Sequence, residues 1–283
     1  MRPRLTLLLL LAASTALAHE FWLELPSFRL KPGDSARLGL FVGDNFAGER
    51  STTDPRKVRR LVRYGPAPAD STDLTPPDTL RPTVTFARPG THLLVLSSAD
   101  SFLELPGAAF TAYLREEGLE FALRRRHEEG HDSLPGRETY RRRAKALVQV
   151  GETGADTTYR CVLGLPLELV PEQNPYRLQL GQALTVRVLR AGKPAAGALV
   201  QVWQRQPGGQ PTTHFRTRAN QSGRLLLRVS GPGPYLLAAV EMSPAPASLR
   251  ARADWQSTWA SLTFAGPALA GRSGGLPNKR PPR

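Results

Sequence analysis

His127, Glu128 and His131 fall in the order H-E-x-x-H inside the stretch RRRHEEGHDSLPG, residues 124–136. On a helix this spacing turns two imidazoles to one side, where they can hold zinc while the glutamate activates its water. The neighbours argue against that chemistry. Three arginines precede His127, Gly130 stands inside the motif, and Asp132, Ser133 and Pro135 follow at once. Glycine costs a helix interior about 1 kcal/mol relative to alanine, and the residues beyond favour a turn. A third ligand is also missing, because Leu134 and Arg137 stand where the extended pattern wants glycine and histidine. The helix is expected to end within the motif. His127 and His131 are then either part of a solvated charged loop or an exposed chelating pair, and zinc hydrolysis is an alternative rather than the main reading.

A second constellation sits at the start of the chain. MRPRLTLLLLLAASTALA, residues 1–18, has a basic n-region at Arg2 and Arg4, an apolar run over 5–13, and an A-x-A cleavage site at 16–18. Cleavage after Ala18 would make His19 the first residue. A terminal histidine offers its amine and its ring Nδ1 as a chelate, and another imidazole would complete a site suited to Cu(II) or Ni(II). Glu20 or Glu24 could add an oxygen or orient the ring. The candidate metal set is therefore His19, Glu20, His92, His127 and His131. His92, in PGTHLLVLS, lies in a strand apolar on both faces and reads also as a satisfied core histidine. His214, in PTTHFRTR, reads as a strand-surface residue.

Other chemistry is thin. There is no G-x-S-x-G elbow, Walker loop or dinucleotide glycine fingerprint, and the single Cys161 lacks a neighbouring base. No enzyme activity is expected. Glu116-Glu117 and Glu128-Glu129 lie beside arginine-rich stretches and read as a solvated face. Trp22, Trp203, Trp255 and Trp259 read as core or sheet-edge packing rather than a sugar platform. One cysteine excludes an internal disulfide framework, and Cys161 reads as a small buried hydrophobe in a strand-like run.

The elements that must position these residues are mostly strands. With 283 residues the chain can bury a large core, in one large or two medium domains. ARLGLFVG, TVTFARPGTHLLVLS, AKALVQVG and RCVLGLPLELV are rich in β-formers and bounded by breakers. Residues 67–82 form a proline-rich connection. Residues 107–129 carry Phe110/Leu114 and Leu119/Leu123 at helical spacing, with Gly118 dividing two short helices laid across a sheet. After Pro166 the strand rhythm restarts, with turns at 192–194 and 220–223, as in a small β-sandwich. The formal charge of +14, of which Arg2 and Arg4 belong to the leader, suits anionic envelope polymer outside the cytoplasm. No basic run carries interleaved aromatics, so nucleic acid is not an expected partner. No segment after the leader is long enough to span a membrane.

Several stretches together resemble domain-of-unknown-function family 4198, a family of exported bacterial proteins often labelled periplasmic components of nickel or cobalt uptake. They are AHEFWLELPSFRLKPGD, VGDNFAGE, YLREEGLE, AKALVQVG, PLELVPEQNPYRLQLGQALTVRVLRAGKPAAGALVQVW and ADWQSTWASLTF. The resemblance implies an all-β protein: an N-terminal β-rich, sandwich-like domain with a short helical insertion (19–164), then an immunoglobulin- or transthyretin-like β-sandwich (165–265). The basic stretch at 266–283 has almost nothing to bury and reads as a disordered tail. The resemblance also implies a periplasmic or secreted protein that binds nickel or cobalt and assists metal uptake beside a membrane transporter; the terminal-histidine chelate adds copper to the expected ions. A structural or adhesive envelope protein binding anionic polymer is the alternative.

Overall fold

The computed structural model describes residues 20–52, 54–67, 69–75, 81–206 and 212–268. The leader at 1–18, His19 and residues 269–283 of the expected tail lie outside the described residues; Gly266 and Pro267, at the start of that tail, are buried.

Strands dominate, as the alternating β-formers require, and the protein is an all-β sandwich. The main sheet runs in the order β16 (Thr213–Arg218), β15 (Leu199–Gln204), β18 (Pro234–Pro244), β19 (Trp255–Ala265), β11 (Gly136–Val150), β9 (Gly90–Ser98), β6 (Val58–Tyr64) and β7 (Ser71–Asp73). β10 (Ser101–Leu105) and β2 (Arg29–Leu30) also pair with β11. Three smaller sheets accompany it. One joins β1 (Glu20–Glu24), β4 (Gly39–Asp44) and β5 (Ala47–Arg50). Another joins β12 (Glu168–Pro171), β13 (Ala183–Arg190), β14 (Lys193–Pro194) and β17 (Arg224–Arg228); the last pairs β3 (Ser35–Arg37) with β8 (Thr83–Thr85). β11 and β19 pair in parallel from Glu138↔Trp255 to Ala146↔Thr263, so one sheet crosses the junction expected near residue 164.

One face of the main sheet carries the large core. Leu61, Leu94 and Leu96 meet Leu38, Leu40 and Val84 in the first half, and Val200, Val202 and Leu262 meet Leu184, Val186 and Val188 in the second. The buried alternation of β13 is the period of a strand with one face inward. The opposite face is covered twice. α1 (Gly107–Glu116) and α2 (Glu120–Glu128) lay Phe110, Tyr113, Leu114 and Ala122 over Val240, Trp255 and Trp259. Trp22 and Phe46 form a separate aromatic cluster with Trp203 and Leu236. Gly118, at φ +65°, makes the break between the helices, as expected.

Three expectations need correction. The run around Cys161 is not a strand: its strand begins only at Glu168, because Gly164, at φ +66°, and Pro166 interrupt it, and Cys161 is half-buried. The proline-rich connection holds a short strand, β7, paired with β6. Glu117 is 9% exposed rather than solvated, because α1 ends against β15. All four tryptophans are buried, as read. Among the described residues no helix is long and apolar enough to cross a membrane.

Candidate functional site

β1 alternates. Phe21 and Leu23 enter the large core, while Trp22 joins the aromatic cluster on the other side. Glu20 and Glu24 share the Trp22 face by strand period. Glu24 is fully engaged: it pairs with Arg205 at 2.7 Å and accepts from Trp22 Nε1 at 2.9 Å. Glu20 is not. It is 8% exposed, and its Oε2 has no hydrogen-bond partner among the described residues.

Glu20 lines a cavity of about 220 Å³ at the seam between the aromatic cluster and the helical cover. Three supports converge there. The β4–β5 hairpin brings Asp44 and Asn45; its two turn residues, Asn45 and Phe46, sit at φ +55° and +57°. That is the twist a two-residue hairpin favours, but it strains a bulky Phe. Phe46 is held by burial, by Trp22 edge-on at 5.4 Å and by Arg205, which stacks on its ring and donates to its carbonyl at 2.9 Å. The β15–β16 pair brings Gln201, Trp203, His214 and Arg216, with His214 lying flat on Trp203 at 4.8 Å. The end of α1 brings Tyr113, Glu116 and Glu117.

The electrostatics are lopsided: four carboxylates and a single arginine, Arg216, line this cavity. Burial, reinforced by Asp44 and Glu116, raises the Glu20 carboxyl to about 7. Burial and then the charge of Glu20 raise Glu117 to about 8, although Gln201 donates to its Oε2 at 3.0 Å. Partial desolvation on the Trp203 face, then Arg216, lowers the His214 imidazole, although the residue stays exposed. Behind the cavity, Tyr113 donates to Glu138 Oε1 at 3.3 Å, and burial raises Glu138 to about 7.

The remaining expected ligands lie elsewhere. His92 is fully buried; Arg63 donates to its Nδ1 at 3.0 Å, so Nε2 carries the proton and donates to the Arg88 carbonyl at 2.8 Å. Both nitrogens are used in holding β9 to its neighbours. His127 is on α2 and exposed, bonded to Asp132 at 2.8 Å. His131 lies past the end of α2, its backbone N–H returning to Arg126, and its ring faces Glu129 at 3.4 Å. The helix therefore ends inside H-E-x-x-H, as the sequence indicated, and the two imidazoles do not share a helical face. Among the described residues no group of three or more His, Cys, Asp or Glu side chains is arranged to hold a metal ion. His19, bonded to Glu20, lies outside the described residues. Of the expected ligands only Glu20 lines this cavity; Asp44, Glu117 and His214 were not expected beside it, since they are distant in the chain and only sheet order unites them.

These features define an all-β sandwich protein with a carboxylate-lined cavity on the back of its main sheet. The profile of the family described as "Domain of unknown function (DUF4198)" matches residues 16–243. The chain belongs to that family. No curated protein matches it. Among solved structures, it is similar to trypsin-activated alpha-2-macroglobulin from Escherichia coli, at 10% identity and TM-score 0.22, over 89% of this chain and 16% of that one. It is also similar to the three N-terminal domains of the bacteriophage RB49 Highly Immunogenic Outer Capsid protein (Hoc), at 13% identity and TM-score 0.20, over 92% and 73%. The chain thus spans 16% of the macroglobulin's length, and both superpositions are too loose to transfer a site.

Proposed function

We propose that this is an exported protein that captures a divalent transition metal (nickel, cobalt or copper) at the Glu20 cavity, as an accessory to metal uptake. The observation that carries the reading is the buried, unpartnered Glu20 oxygen in a cavity where negative charge exceeds positive. A buried carboxylate without a partner is costly, and a cation removes the cost. The donor set separates cations: carboxylates alone would suit calcium or magnesium, whereas imidazole nitrogen favours nickel, cobalt and copper. His214 supplies one imidazole. His19, freed by leader cleavage, would supply a second together with its amine, bonded directly to Glu20. Neither histidine belongs to the H-E-x-x-H stretch.

The test is calorimetric titration of the processed protein, its start fixed by intact mass, with Ni(II), Co(II) and Cu(II). Binding on the order of micromolar or tighter is expected. One extra residue ahead of His19, or Glu20→Gln, should weaken it by about tenfold or more. Equal binding by native and extended forms would remove His19 from the site. Absence of binding by every form, with binding to anionic polymer that falls with salt, would favour the adhesive reading instead.

A further inference from the structure

A cavity of about 720 Å³ opens where α2 gives way to β11 and where β18 returns as β19. Backbone bonds tie its walls together: the Ala245 N–H donates to Asp254 at 2.8 Å, and the Asp254 N–H to Arg137 at 2.9 Å. Pro135, Pro244, Ala253 and Trp255 supply apolar surface. Four arginines, Arg125, Arg126, Arg137 and Arg250, share the lining with three acids, Glu104, Glu129 and Asp254. His131, also on the lining, has its ring 3.4 Å from Glu129. The charges do not cancel in pairs. Arg125 meets Glu129 at 2.8 Å and Arg137 meets Asp254 at 2.7 Å. Arg126 and Arg250 bond to no acid among the described residues, and Arg250 reaches only the Ala245 carbonyl, at 3.4 Å.

Arg126 is the unusual member. It is 3% exposed, in a class of residue almost never buried unless paired. Its Nη2 donates to the carbonyls of His131 and Leu134, each at 2.7 Å, and its guanidinium lies over the Phe110 ring at 5.0 Å. Its Nε is buried with no hydrogen-bond partner among the described residues, and Asp132 and Asp254 act on it only through space. Holding the 131–134 turn accounts for the two carbonyl bonds, which a neutral donor could also make. It does not account for a full charge in the interior, which is costly without a counter-charge.

We propose that this cavity binds an organic monocarboxylate with an apolar body, the carboxylate pairing with Arg250 and offsetting the buried charge of Arg126 while the body lies against Trp255 and the prolines. The charge count selects the class. Four arginines against three acids leave one positive charge, which a carboxylate neutralises and a phosphate dianion exceeds. Guanidinium matches a carboxylate in shape as well as charge. The volume falls in the range of small-molecule sites, about 300–1,000 Å³. A free acid and the carboxyl end of a peptide share this chemistry. The cavity has no lining residue in common with the Glu20 cavity, so metal capture and carboxylate binding stand or fall separately.

The experiment is titration of the protein with phenylpropionate, for a free acid, and N-acetylphenylalanine, for a chain end, following the Trp255 indole N–H by NMR. A saturable shift with a Kd on the order of millimolar or tighter is expected from at least one, weakening as salt is added. The acid bound more tightly identifies the source. Phenylpropionamide, without the charge, should bind at least about tenfold more weakly, and Arg250→Gln should cost the acids about tenfold. Arg126→Gln should do the same, with its melting temperature checked alongside; should it fail to fold, Arg250→Gln decides. Arg124→Gln, exposed on α2 and outside the lining, should change nothing. The absence of a saturable shift, equal binding of acid and amide, tighter binding of inorganic phosphate, or wild-type affinity in Arg250→Gln would each overturn the proposal.

Discussion

Lys145 and Glu168 join β11 to β12 through a 2.5 Å ion pair in which both side chains are almost wholly buried. Glu168 also accepts from the backbone of Leu163 and Gly164, so the carboxylate is fully used. Burial lowers the Lys145 ammonium and the charge of Glu168 opposes it, which makes the lysine dependent on its partner. Glu168→Ala is therefore expected to cost about 3–5 kcal/mol, whereas replacing both residues with apolar ones of similar volume should recover most of it. Urea denaturation of the single and double variants measures this. A loss under about 1 kcal/mol for the single variant would mean that water reaches the lysine. The contrast with Glu20 and Glu117 is instructive. One buried acid has a cation and two backbone donors; the other two share one arginine and a cavity.

At the scale of elements, the position of α1 depends on a glycine. Gly136 opens β11 directly beneath Phe110, and a Cβ there would stand 2.2 Å from the ring. Phe110 is fully buried, so it has little room to yield. Gly136→Ala is expected to destabilise by about 1–3 kcal/mol through overpacking, and because it lifts α1 it should also weaken metal binding. Retained stability in denaturation and unchanged titration would count against this coupling. The helices themselves were legible: Phe110/Leu114 spacing and Gly118 give both segments, and breakers mark the hairpins at 192–194 and 220–223. What sequence could not convey is which side of a helix end faces an interior. Glu116-Glu117 reads as surface beside Arg115 because charge in a short helix is usually solvated. Its burial arises from β15, more than eighty residues onward, whose Gln201 reaches back to it. His214 was legible as an exposed strand residue, but its stacking on Trp203 follows from register alone.

For the whole molecule, three buried acids set a pH dependence. Glu20 and Glu138 stand near 7 and Glu117 near 8, against an ordinary value of 4.5. The fold prefers their protonated forms, while the unfolded chain surrenders those protons at lower pH. Their stabilisation is complete below about pH 4.5 and is lost as pH rises through 7 to 8. Metal-free protein should accordingly melt at a higher temperature near pH 6.5 than near pH 8.5, with Glu117→Gln flattening the trend. Below about 6.5 the buried neutral His92 works in the opposite direction, so the comparison belongs above it. The arginine-paired Asp70 and Asp254, held low by those partners, change charge only in stronger acid. A melting temperature that falls from pH 8.5 to 6.5 would contradict this assignment. The parallel pairing of β11 with β19 has a consequence for the order of assembly. The long middle strand acquires its neighbour only once residues 255–263 exist, more than a hundred positions later. Closing so wide a loop before any contact rewards it is slow. The earlier half must therefore wait, incomplete along one edge, until β19 has been made.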